Sequence, residues 1–390
     1  MFLRKTIFAA VLLAVVILPA TSHATITRVI GLGGAGANMI VRDAYNPAIW
    51  PQLVNHYGMQ SGAEFWTAGD EYGWDLQKAY INYEFSGDKP CVLQFALDKM
   101  SSRNYGTLVN TQLASLDGVP GGYNKLNATI GHWIAEDMLV GAALHWAGKS
   151  LKTNEDGGDF DDSYSEIGLN LGLTAMEEKL DVSLGFRVGS YTVDHGGNTL
   201  AEADGASDIM LTGRYWYEAS DTYTLVPVLA INAHTDNAKM GDAANEYSTM
   251  LFRLGCGNNW TPKDNMLVIT EVGLQSAGET MKPDGGDEVK DSETDIYWRI
   301  GVESEIFGWL WGRFGAERAW RGATWESWEG QPEWSSSLTR TYLGASTHWN
   351  RFVADLEVHP SFFGYGPNFL SGYTDMIFTR ASIKINFDQE

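Results

Sequence analysis

Cysteine is nearly absent: Cys91 and Cys256 are the two thiols in 390 residues. Two are too few for a disulfide scaffold or a cysteine zinc site. They fall on segments far apart in the chain, so both are expected free. Charge is scarce as well, at 19% of residues, and it runs one way: 27 Lys and Arg against 49 Asp and Glu give a net charge of −22. A nucleic-acid partner is excluded by that balance, because phosphate neutralisation needs a basic surface. Prolines number 11. Long apolar runs are missing after the first 24 residues, where no stretch approaches the ~20 residues that a membrane helix needs.

The one apolar run, Ile7 to Ala20, follows Arg4 and Lys5 and precedes Ser22-His23-Ala24. A positive start, a short apolar core and small residues before a cut describe a secretory signal peptide over 1–24, with the mature chain starting at Thr25. The mature chain is expected to hold no transmembrane helix. If it enters a membrane it must do so as a closed barrel, since lipid satisfies no sheet edge.

What is abundant is glycine, with 43 residues, and aromatics, with 15 Trp, 17 Tyr and 16 Phe. Both suit many twisted strands with aromatic belts, and an aromatic-rich secreted soluble β-protein would share them. The clearest strand runs through Leu180, Val182, Leu184, Phe186 and Val188, with Asp181, Ser183, Gly185, Arg187 and Gly189 between them. Strict period-two alternation is a strand with one apolar and one polar face. From residue 54 onward such strands alternate with two classes of connection. Long polar segments fall near 102–121, 151–161, 194–205, 238–244, 279–291, 321–334 and 360–373; short turns fall near 135–137, 176–179, 220–221, 261–264, 306–308 and 348–350. Long loops on one side and short turns on the other mark an outer-membrane barrel. The fold expected is all-β: a transmembrane antiparallel up-and-down β-barrel of about 16 strands, or 14 if the first two are partly plug, with a short N-terminal plug. The divisions are 1–24 signal peptide, 25–53 plug and 54–390 barrel. The last strand alternates through Ile377, Thr379, Ala381, Ile383, Ile385 and Phe387. Its aromatic end resembles the signal read by the outer-membrane insertion machinery.

Gly31, Gly33 and Gly36 match the dinucleotide-binding spacing, but Pro47 and Pro51 break the helix that must follow. Gly31, Gly33, Gly34 and Gly36, then Asp43-Ala44, then Asn46-Pro47-Ala48 instead resemble the N-terminus of FadL-type and PorV-like outer-membrane proteins. The resemblance implies a small plug inside the barrel mouth, built from Gly31, Gly33, Gly34, Gly36, Asp43, Asn46, Pro47 and Ala48. The spacing is shorter than in the fatty-acid transporters, and the strand count exceeds theirs.

Alternation assigns the basic Arg187, Arg214, Arg253, Arg299, Arg313, Arg380 and Lys384 and the acidic Glu271, Glu303, Glu317, Asp355 and Glu357 to the lumen. A charge facing lipid at mid-membrane costs roughly 2–4 kcal/mol. Such a set makes either a charged constriction or an ion-pair ladder that stiffens the wall or holds a plug. Two acidic stretches, 154–162 and 284–288, are solvated loops or divalent-cation binders bridging to lipopolysaccharide. The four tryptophans of 320–334 suit an interfacial belt or a stacking platform. His132 and His145 face each other if they share a hairpin, but no nucleophile motif accompanies them. No enzyme activity and no cofactor are expected.

These readings converge on an outer-membrane channel or transporter for passive uptake of small or apolar solutes. The alternative is a structural or assembly barrel, PorV-like, that anchors or shuttles surface proteins. Expected partners are outer-membrane lipid, lipopolysaccharide, the insertion machinery and a small solute or apolar ligand.

Overall fold

The computed structural model describes residues 25–34, 39–44, 46–67, 74–85, 87, 89–98, 124–155, 158–195, 198–240, 243–283, 285–326, 333–358 and 378–387. The expected leader, Gly36, and the segments at 102–121 and 360–373 lie outside them.

Seventeen strand segments form one sheet: β1 (Gln60–Thr67), β2 (Trp74–Phe85), β3 (Cys91–Asp98), β4 (Asn124–Ala135), β5 (Met138–Glu155), β6 (Gly158–Ala175), β7 (Leu180–His195), β8 (Asn198–Tyr215), β9 (Tyr217–Ser220), β10 (Tyr223–Met240), β11 (Ala243–Lys263), β12 (Met266–Pro283), β13 (Val289–Phe307), β14 (Leu310–Trp325), β15 (Glu333–Trp349), β16 (Phe352–Val358) and β17 (Phe378–Asn386). β8 and β9 are two parts of one stave, interrupted at Trp216, and both pair with β10. Each remaining stave pairs antiparallel with its sequence neighbours, and β1 pairs with both β2 and β17. The result is a closed barrel of sixteen staves with no free edge.

The two faces of the wall divide as alternation requires. Phe95, Ile130, Leu144, Trp146, Leu171, Leu184, Phe186, Leu254, Val272, Ile296 and Phe314 are exposed on the outer face. The residues between them, such as Asn170, Ser183, Arg253, Glu271 and Arg313, are buried on the inner face. An exposed apolar outside around a polar inside is the inverse of a soluble sandwich, and it suits lipid.

Two expectations about boundaries are corrected. The first strand begins at Gln60 rather than at 54, because 51–57 forms a 3₁₀-helix inside the barrel. The polar segments 151–161, 194–205 and 238–244 are mostly strand rather than loop: β5 reaches Glu155 and β6 starts at Gly158, β7 reaches His195 and β8 starts at Asn198, β10 reaches Met240 and β11 starts at Ala243. Beyond the membrane both faces of a hairpin meet water. The alternation then vanishes from the sequence while the backbone ladder continues.

Candidate functional site

The described part of 25–57 lies inside the barrel and passes along its inner wall from stave to stave in descending order. The Thr25 hydroxyl donates to Asp355 Oδ2 on β16 at 2.9 Å and accepts from Ser382 on β17 at 2.7 Å. A single helical turn and a half, Ile26–Gly31, follows. Leu32 and Gly33 then run against β13 and β14. There the wall carries Gly301 and Gly315 side by side, and a Cβ on either would collide with the backbone of Leu32 or Gly33. Gly33 and Gly34 have φ of 127° and 89°, a region open to glycine.

Ile40 reaches β11, where its carbonyl accepts from Asn259 Nδ2 at 2.9 Å and its side chain lies over Gly257. The Asp43 amide donates to Asn46 Oδ1 at 2.8 Å, which shapes the turn into Asn46–Ala48. The 3₁₀-helix Pro51–Tyr57 then rests on a second glycine row. Gly131, Gly141 and Gly172 are cross-strand partners on β4, β5 and β6, and a Cβ on any of the three would strike Gln52. Asn82 on β2 closes the path by donating to the Tyr57 carbonyl at 3.1 Å.

Charged pairs hold this segment. Arg28 donates from Nη2 to Glu303 Oε1 at 2.6 Å, from Nε to Oε2 at 2.7 Å, and from Nη1 to Asp43 Oδ2 at 3.1 Å. Burial opposes the Arg28 charge, but the two carboxylates win and raise its pKa. Glu303 also accepts from Arg313, which continues to Asp355 at 2.8 Å. A second knot centres on Arg214. Its Nε donates to Asp181 at 2.8 Å, its Nη1 to the Val41 carbonyl at 3.2 Å, and its Nη2 to Asn46 Oδ1 at 3.3 Å. The same guanidinium lies 3.8 Å from the Trp50 ring centre and 4.7 Å from that of Trp216. A third lies within the wall itself: Glu271 accepts from Arg253 at 2.5 Å, Arg299 at 2.5 Å and Tyr297 at 2.7 Å, and Arg299 goes on to Glu317 at 2.6 Å.

At the short-turn end, the β6–β7 connection runs through Met176, Glu177 and Glu178 with φ of 57°, 56° and 64°. Three consecutive left-handed residues without glycine are costly, by ~1–2 kcal/mol each. The segment braces that turn: Arg42 Nη2 donates to the Glu178 carbonyl at 2.5 Å, and His56 Nε2 lies 3.6 Å from the Glu178 carboxylate. Burial holds the His56 pKa below its usual value.

All twelve charged residues assigned to the lumen sit on the inner face. Glu271, Arg299, Glu303, Arg313, Glu317 and Asp355 belong to the knots described, as do Arg214 and Arg253. Arg187 lies 3.3 Å from Asp208, and Arg380 3.6 Å from Glu357; Lys384 is fully buried on β17. Of the glycine-turn residues, Gly31, Gly33, Gly34, Asp43, Asn46 and Pro47 are buried. Ala48 is the last residue of the short 3₁₀-turn. The histidine pair is not formed: His132 is opposite Val140, His145 is opposite Asn127, and the two are on opposite faces of the hairpin. Sequence reasoning missed Arg28, Arg42, Trp50, Gln52, His56 and Trp216, the pairing of Asp181 with Arg214, and also the glycine rows. The rows were open to detection as glycines recurring at inward positions of neighbouring strands. Cys91 and Cys256 are free thiols on β3 and β11.

A closed, edge-free wall with an apolar outside and ion pairs inside settles the environment. This chain is a β-barrel of the bacterial outer membrane. No family model matches the sequence, and no curated protein does. Solved structures resemble its fold. The copper transporter OprC is 10% identical, with a TM-score of 0.40 over 77% of this chain and 60% of that one. CdiB from Escherichia coli is 10% identical, with a TM-score of 0.41 over 84% and 62%. The CymD monoaromatic hydrocarbon channel is 11% identical, with a TM-score of 0.39 over 92% and 98%. The barrel thus spans about three-fifths of the length of OprC and CdiB, and the likeness is one of fold alone.

Proposed function

We propose that this barrel is a gated outer-membrane channel for passive uptake of small or apolar solutes, closed at rest by residues 25–57 acting as a plug. One observation carries the reading. Among the residues from 25 to 54 whose burial is described, Arg42 alone is exposed. A segment lining an open aqueous bore would expose one side to water; the described residues here are buried except at Arg42.

The contacts that hold the plug are ion pairs and hydrogen bonds to the wall, together with apolar contacts to Met210, Val226, Val228, Ala230 and Ile269. Water can replace the polar contacts when the segment shifts. The path uncovered would carry an apolar patch at Met210, Val226, Val228, Ala230 and Ile269 beside charged groups at Arg253, Glu271, Arg299 and Glu317. Such a passage suits a solute with a non-polar body. The resemblance of the glycine run and Asn46-Pro47-Ala48 to FadL-type plugs points the same way.

The test is single-channel conductance of the refolded chain from Thr25, compared with one lacking residues 25–57. Rare steps in the first and frequent steps in the second are expected. No conductance from either, in protein shown to be folded, overturns the channel reading in favour of a structural or assembly barrel.

A further inference from the structure

The outer face of β14 carries one residue out of keeping with the rest of it. Phe314, Arg318 and Trp320 share that face, since Arg313 and Glu317 are inward and paired. Phe314 and Trp320 are exposed to the surroundings, so Arg318 stands between two apolar neighbours. Its guanidinium lies 5.1 Å from the Trp320 ring centre. Its cross-strand partners are Trp298 on β13 and Thr339 on β15. Its Nε is buried and has no hydrogen-bond partner among the described residues.

Other cations on the strand extensions differ in this respect. Lys152 pairs with Asp161, Lys239 with Glu202 at 2.7 Å, Lys282 with Glu246 at 3.9 Å and Lys290 with Glu288 at 3.3 Å. Arg318 has no carboxylate partner among the described residues, in a chain whose net charge is −22. A cation left without a counter-ion in so acidic a chain points to a counter-ion supplied from outside.

Its height says which one. Arg318 is eight positions along β14 from Leu310, at the short-turn end. At ~3.3 Å per residue and a strand tilt of ~40° it stands roughly 20 Å above that end, close to the upper edge of an apolar band ~25 Å tall. The long hairpins leave the barrel at that edge, and long connections face outward. Arg318, Trp298 and Trp320 therefore meet the headgroup layer of the outer leaflet, where tryptophan belts sit and a long cationic side chain extends toward phosphate. Exposed hydroxyls of Thr339 and Ser337 occupy the adjoining positions on β15. A planar fork of donors beside two hydroxyls matches a phosphate monoester.

We infer that Arg318, with Trp298, Trp320 and Thr339, forms a site on the outer face of β13–β15 for a phosphate of the outer-leaflet glycolipid, lipid A. The site is independent of the plug and of any channel activity.

The experiment is native mass spectrometry of the full barrel in neutral detergent, titrated separately with bisphosphorylated lipid A, dephosphorylated lipid A, phosphatidylglycerol and inorganic phosphate. Retention of bisphosphorylated lipid A above the other three is expected, with a loss of about tenfold in Arg318→Gln. Partial retention is expected in Arg318→Lys and full retention in Lys282→Gln. A parallel titration of the unaltered protein against rising salt covers the case in which Arg318→Gln does not fold: retention should fall steeply with ionic strength. Equal retention by wild type and Arg318→Gln, equal binding of the dephosphorylated lipid, or salt-insensitive binding overturns the site. Equal binding of phosphatidylglycerol or free phosphate overturns the assignment to lipid A.

Discussion

Arg28 holds Glu303 at two points, Nη2 to Oε1 at 2.6 Å and Nε to Oε2 at 2.7 Å, across 275 residues of sequence. Glu303 is shared with Arg313, and each arginine has a second carboxylate, Asp43 for Arg28 and Asp355 for Arg313. The two ends of the pair are therefore not equivalent. Arg28→Met leaves Glu303 with Arg313, whereas Glu303→Gln strips a buried carboxylate from two buried guanidiniums. Losing one partner of a buried pair costs about 3–5 kcal/mol. Glu303→Gln should accordingly lower the unfolding midpoint more than Arg28→Met does, and both should raise the frequency of conductance steps. Thermal unfolding and planar-bilayer recording read the two effects; equal destabilisation would contradict the shared role of Glu303.

The glycine rows predict where bulk is forbidden. In Gly141→Val the new side chain would meet the backbone of Pro51 and Gln52, which cannot swing aside as a side-chain tip can. Overpacking of this kind costs about 1–3 kcal/mol, and the response expected is an unseated plug in a barrel that still closes. Gly278→Val is the control, because nothing lies within 4 Å of the position a Cβ would take. Protease sensitivity of residues 25–57 should rise in the first variant and not in the second.

His56 gives a pH dependence with a definite sign. Burial lowers its pKa from the ordinary 6.5, against the opposing pull of Glu178. The folded state then binds fewer protons than the unfolded state between the two values. This contribution is fully present above 6.5 and is lost as pH falls through the folded-state pKa. The barrel should be less stable to urea at pH 5 than at pH 7.5 through this residue, and His56→Phe should reduce that difference. An unchanged difference in the variant would assign the dependence to other groups.

Cys256 tests the direction of the wall. It is exposed and shares the outer face of β11 with Leu254. In liposomes it should react with an apolar pyrene maleimide and resist a charged thiosulfonate; rapid labelling by the charged reagent would place it in water.

Much of the fold was legible because a barrel wall has a local code. The alternation of Leu180 to Val188 against Asp181 to Gly189 states which side of β7 meets lipid, and it needs no distant residue to be read. The same rule placed Arg214, Glu271, Glu303 and Asp355 on the inner face. Two features escaped it. The strand extensions around 154–162 and 238–244 lose alternation where both faces are wet, so they read as loops. The wall histidines His132 and His145 read as neighbours, although a register set by the Glu136-Asp137 turn puts them on opposite faces.

The sequence alone determined that the chain is a barrel, with polar and charged residues inside and apolar residues outside, because period-two patterning is a property of neighbours in the chain. Only the tertiary structure decided which inward residues meet which. That Arg28 finds Glu303, that Arg214 sits between Trp50 and Trp216, and that Gly131, Gly141 and Gly172 align under Gln52 all depend on cross-strand register and on the path of the N-terminal segment. Both are fixed by closure of the barrel as a whole, a condition on all sixteen staves together that no local stretch contains.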